Sequence, residues 1–295
     1  MTRLAICVLA AITSVGGFVG SIEAQRARPD MLAGCPPDPV PFNKCAKEKI
    51  KSFNPPRTKE GNPDFQGYWN AGRQAFDLEE HPETFAYNGE PTLIVDPANG
   101  KVPYTPAAEA KHNDWKSKTL TPPSIEYLDP NAQCFLRGIP RQMWMMDYQF
   151  VQPVGSQFIF TVHEQNHAYR TIKMDGSPHL TKDIKLWMGD SRGHWEGNTL
   201  VVDTTNANGR EWLDNTGAMY SENVQITEHF TLVDNDTILY EATVTDPAYF
   251  TQPWTLTFPL RRNTQSGFEL IEFACHEGNR SPALQLQLGR EKRNP

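Results

Sequence analysis

The stretch Ser156–His179, "SQFIFTVHEQNHAYRTIKMDGSPH", admits two incompatible readings, and the choice between them decides the fold. Its centre, His163–His167, spells H-E-x-x-H. On a helix this places two histidines one turn apart with Glu164 beside a metal-bound water, the arrangement of a zinc-dependent hydrolase. The flanks argue otherwise. Phe158, Ile159, Phe160, Thr161 and Val162 lie to the left, and Tyr169, Thr171 and Ile172 to the right before an Asp175-Gly176 turn, so β-branched and aromatic residues favour two strands. The longer zinc signatures also fail: Lys173 stands where a third histidine belongs, Arg170 where its glycine belongs, and the next glutamate, Glu196, sits in the turn "HWEGN". A β-hairpin is predicted over 157–174. Zinc held by His163 and His167 is the alternative, and otherwise no cofactor is expected.

Outward from this hairpin the same texture continues. "YQFVQ", "QFIFTV", "AYRTIKM", "NTLVVDT", "NVQITEHFTLV", "TILYEATVT", "WTLTFPL" and "FELIEFAC" read as strands, separated by the turn sequences "PVGS", "MDGSP", "WEGN" and "DNDT". The predicted fold is mainly β, an antiparallel meander forming a calycin-like barrel or a two-sheet sandwich, with few short helices. One helix is expected at Thr105–Lys118, with threonine at the cap and proline following it. Residues 25–65, with "CPPDPVPF" and "NPPRTKEGNP", read as a Pro-rich extended arm, and 66–295 as a single β-rich domain.

Strand parity then picks out charged residues among apolar ones. Glu164 follows Phe158, Phe160 and Val162 on one face; Arg170 shares a face with Ala168, Ile172 and Met174; Glu228 interrupts Val224, Ile226, Phe230 and Leu232. Buried charges need partners, so these three should pair with one another or with a ligand. In "WMGDSRGHWEGNTLVVDT", Asp190, Arg192 and His194 alternate and share a face, a combination suited to acid–base work or anion binding. Structural ion pairs and turn caps would produce the same pattern. His276, in "FACHEGN", follows a cysteine that could pin it beside "CFLRGIP" and Arg137.

The first 24 residues join Arg3, an apolar run and small residues ending at Ala24, and are expected to be a cleaved export signal, giving a periplasmic or secreted protein. "LAGC" at Leu32–Cys35 spells a lipoprotein box but lies beyond the apolar run, so Cys35 is expected to be unlipidated. Four cysteines remain after cleavage. The spacing favours Cys35 with Cys45 and Cys134 with Cys275, without excluding the other pairings. The net charge of −7, one Arg3 and one Glu23 cancelling within the signal, speaks against nucleic acid. No later stretch reaches the length of a membrane span. The sequence does not give an oligomeric state.

The run "WMGDSRGHWEGNTLVVDTTN", with "CFLRGIP", "RTIKMDGSPH", "DPAYFTQPW" and "EFACHEGN", resembles a widespread group of exported bacterial proteins of uncharacterised function, over roughly residues 56–280. The resemblance implies export and a shared scaffold, and no activity or catalytic residue. Function is therefore read from the residues. The first reading is an exported barrel enzyme (lyase, isomerase or hydrolase) acting on a small organic substrate, with His194, Glu228 and Glu164 moving protons. Arg170, Asp190, Arg192, Trp195, Trp254 and His276 would bind the substrate. The second is a non-catalytic small-ligand-binding barrel, and the third a zinc-dependent hydrolase using HEQNH.

Overall fold

A computed structural model describes residues 32–71, 76–83, 89–144 and 146–293. The expected signal at 1–24 lies outside them. The described chain has ten strands: β1 (Gly67–Asn70), β2 (Ile94–Asp96), β3 (Tyr148–Val151), β4 (Phe158–His163), β5 (Tyr169–Lys173), β6 (Asp190–Glu196), β7 (Thr199–Thr205), β8 (Gln225–Leu232), β9 (Thr237–Thr245) and β10 (Trp254–Arg262). They hydrogen-bond in the order β1-β3-β4-β5-β6-β7-β8-β9-β10, and β1 pairs back with β10, so nine strands close a barrel. β2 adds to the outside of β10. Of the expected architectures, the barrel is the one found.

Residues 157–174 form the predicted hairpin. β4 and β5 pair antiparallel from Phe158↔Lys173 to Val162↔Tyr169, and a short 3-10 turn at Gln165–His167 joins them, with Asn166 and His167 at positive φ. His163 ends a strand with its side chain buried, whereas His167 is exposed in the turn, so no helix face carries both. The metal alternative loses the geometry that its spelling required.

Three other expectations need correction. "MDGSP" does not close a hairpin: residues 174–189 cross over, and β6 lies parallel to β5 through Ile172↔Ser191, which makes the barrel mixed. "FELIEFAC" forms no strand. The arm read as extended contains helix α1 (Pro39–Lys49). Prolines there occupy the first turn, where a missing N–H breaks no intrahelical bond. Phe42 and Ala46 bury against Val233 and Leu239, and Asn43 donates to Glu241 at 2.8 Å, so the helix packs onto β9 and β10. Helix α2 (Pro106–Lys118) was expected: Thr105 Oγ1 accepts from Ala108 N–H, and Lys116 and Lys118 stand in its last turn. A third helix, α3 (Ser281–Arg293), was not.

The barrel is filled with side chains. Phe65, Trp69, Tyr148, Phe150, Phe230, Tyr240, Phe258 and Leu260 are all essentially inaccessible and belong to one cluster. Both expected disulfides are present, Cys35–Cys45 and Cys134–Cys275. β3, β6, β8 and β10 begin at one end of the barrel, where β4, β7 and β9 finish. The long connections gather there: α2 and the following loops meet residues 206–224 through the His112–Thr216 and Arg141–Trp212 contacts, and residues 246–253 through Thr105 N–H to Tyr249 O.

Candidate functional site

Two of the singled-out charges meet inside the barrel. Arg170 points inward from β5 and Glu228 from β8, and the guanidinium grips the carboxylate with both Nη atoms, Nη1 at 3.0 Å from Oε1. Tyr240 Oη donates to the same Oε1 at 2.9 Å, while Arg170 donates to Ser191 Oγ and Thr204 Oγ1 at 2.8 and 2.7 Å. Glu228 is fully buried and Arg170 is 2% exposed. Five strands thus contribute to one closed, well-paired network, in which each charge has the partners that burial requires.

His163 and Tyr148 stand beside this network, their rings stacked at 4.8 Å. Burial, and then the positive charge of Arg170, push the His163 imidazole down to about 3, and its Nε2 meets Thr161 Oγ1 at 2.8 Å. Burial, and then the Glu228 charge, hold the Tyr148 phenol well above its ordinary value. Among the described residues, Tyr148 Oη and His163 Nδ1 are buried without hydrogen-bond partners.

The other expected site residues lie elsewhere. Asp190, Arg192 and His194 do share a face, but it is the outer one, since Ser191 supplies the inward position of β6. Asp190 bonds Arg192 at 2.7 Å, His179 at 3.0 Å and the Leu180 N–H at 3.0 Å. Burial alone would raise its carboxyl, but these donors outweigh that and hold it below the usual range. The cluster ties residues 177–180 of the crossover to β6, with Arg192 also donating to Ser177 and Pro178 carbonyls. His194 is half-exposed and faces Glu196 at 3.1 Å. Trp195 stacks on Phe65, Trp254 is core, and His276 is exposed beside the Cys134–Cys275 bridge. Glu164 is buried in the β4–β5 turn, where its N–H donates to Asp147 O. The residues expected to form one site therefore occupy at least three places.

A different concavity was not anticipated. At the loop end, α2, the segments 125–135 and 209–219, and Trp187 enclose a groove of about 470 Å³. Two aromatic pairs stand in its walls: Phe135 stacks on Trp187 at 4.8 Å and 14°, and Trp115 meets Trp212 edge-on at 5.2 Å. Ile125 and Met219 add apolar surface, and Lys111, Glu126 and Arg210 are the charged residues that line it. Local structure explains the placement. α2 presents Trp115 one turn after Lys111, and Trp115 Cβ packs against Gly217, whose φ of +87° and lack of a Cβ allow the approach. The signal lay in the sequence as Phe135, Trp187 and Trp212 in segments outside the predicted strands, and as Trp115 on an otherwise polar helix.

Comparison with protein-family models, curated proteins and solved structures finds no match to the chain.

Proposed function

We propose that the protein is an exported, non-catalytic barrel that captures a small, largely apolar organic ligand, aromatic in part, in the loop-end groove. The observation that carries this reading is the groove itself: concave, about 470 Å³, walled by Trp115, Phe135, Trp187 and Trp212, with few polar groups at its edge. Volumes of 300–1,000 Å³ with apolar walls and a few polar groups suit drug-sized molecules, whereas a macromolecular partner prefers flatter, larger surfaces. Phe135 is 45% and Ile125 58% exposed, which is costly for apolar side chains unless something covers them.

Binding takes precedence over catalysis in this reading because the acid–base residues singled out from the sequence are not gathered around the groove. Glu228 and Arg170 are spent on each other, and His194 stands on the outer wall. Export is supported by the two disulfides, which persist in oxidising compartments, and by the signal-like start of the sequence; no described helix is long and apolar enough to cross a membrane.

The test is an amide NMR titration with a neutral planar probe, 2-naphthol. Saturable shifts confined to 111–135, 187 and 209–219 are expected. Shifts centred on the β4, β5 and β8 residues around Glu228 would transfer the site to the lumen and revive the enzyme reading.

A further inference from the structure

Close to the groove but chemically separate from it, two buried arginines stand near one carboxylate, and only one of them binds it. Arg141, 1% exposed, takes Asp129 with both Nη atoms, at 3.0 and 2.5 Å, and also contacts Asn215. Asp129 is further occupied by the Asn131 N–H at 2.9 Å. Arg137 is 7% exposed, and the hydrogen bond it makes is from Nε to Asn131 Oδ1 at 2.7 Å. Neither of its Nη atoms has an acceptor among the described residues, yet neither is sealed from solvent as the orphaned Arg141 Nε is. The side chain is thus nine-tenths buried with its two-pronged end unengaged and reachable.

A buried cation without a counter-charge is unfavourable by several kcal/mol. Burial, then the neighbouring Arg141, bring the Arg137 guanidinium down to about 9, partly opposed by Asp129, so it remains charged at neutral pH. Asn131, its one partner, also lines a polar pocket of about 380 Å³ with Asp129, Asn215, Ser281 and Gln285, a lining to which Arg137 itself does not belong.

We infer that Arg137 is the anchor of an oxyanion site: its free Nη edge takes a small carboxylate or phosphate that supplies the missing counter-charge. Two parallel N–H···O bonds match the fork of a guanidinium to either anion, and such charge-assisted pairs are the strong ones. The site is distinct from the aromatic groove, and the failure of either proposal leaves the other standing.

The experiment is thermal unfolding of the mature protein titrated with acetate or inorganic phosphate, with ionic strength held constant by chloride. The wild type should gain stability saturably with at least one of the two, and the one with the lower half-saturation identifies the anion class. Arg137→Met should lose that gain and, without anion, should be at least as stable as wild type, because it removes an uncompensated charge. Arg137→Lys keeps the charge without the fork and should need at least tenfold more anion. An equal gain in Arg137→Met, or none in wild type, overturns the site. So does an Arg137→Met protein that is destabilised with and without anion, since that is the behaviour of a structural side chain.

Discussion

Glu228 and Arg170 illustrate how far one residue can be read from parity and where parity stops. On β5 and β8 a charge sits among inward apolar residues, and the structure buries both and pairs them. Replacing Glu228 with glutamine leaves the guanidinium buried against a neutral amide, which should cost about 3–5 kcal/mol of stability. A shift in the urea midpoint with an unchanged slope measures it, and ligand affinity at the groove should not move. His163 makes a second prediction. Its folded-state value is about 3, against about 6.5 when unfolded, so the unfolded chain binds the proton more readily. Stability linked to His163 is full above about pH 6.5 and is lost as the pH falls towards 3. His163→Phe should flatten that part of the pH–stability curve relative to wild type, and parallel curves would show that the ring titrates freely. Glu164 shows the limit of parity. Both faces of β4 are apolar, so phase could not be chosen from Phe158, Phe160 and Val162. The structure turns Ile159, Thr161 and His163 inward instead, while Phe158 and Phe160 stack on the outside and Glu164 falls past the strand end.

At the scale of elements, hairpins joined by tight turns were legible, because turn chemistry and strand period act within a few residues. The crossover from β5 to β6 was not. Its direction is set by Asp190, Arg192 and His179 tying 177–180 back against the barrel, a set of contacts that no local pattern announces. Close approach of β6 to β5 depends on Gly193, where a Cβ would lie 2.5 Å from Met174 Sδ and 2.7 Å from Ile172 Cγ2. Gly193→Ala should therefore cost roughly 1–3 kcal/mol by overpacking, read as a lowered denaturation midpoint. α1 escaped notice because the prolines that occupy its first turn read as an extended arm. The Cys134–Cys275 bridge closes a separation of 141 residues and holds the C-terminal segment to the loop bearing Phe135. Cys275→Ser with Cys134→Ser should cost about 2–5 kcal/mol and render residues 263–293 sensitive to limited proteolysis. Unchanged protection would mean that the segment is held by packing alone.

For the whole molecule, closure of nine strands leaves only the short β2 as a free sheet edge, and encloses a lumen packed with aromatic rings around one satisfied ion pair. The residues expected to line one cavity are instead paired with each other in the lumen or stand on the outer wall, and the proposed function rests on the connections at the barrel's end. There α2, the 125–135 loop, Trp187 and the 209–219 loop meet only through tertiary folding, which is why the groove could not be assembled from spacing. Division of labour between a structural lumen and a binding groove is the central claim. It is tested most directly by comparing 2-naphthol affinity, measured by tryptophan fluorescence, in wild type, Phe135→Ala, Trp187→Ala and Glu228→Gln. The account predicts saturable binding that falls tenfold or more in the two groove variants and is retained in folded Glu228→Gln protein. Affinity lost in Glu228→Gln and kept in Phe135→Ala and Trp187→Ala would contradict it.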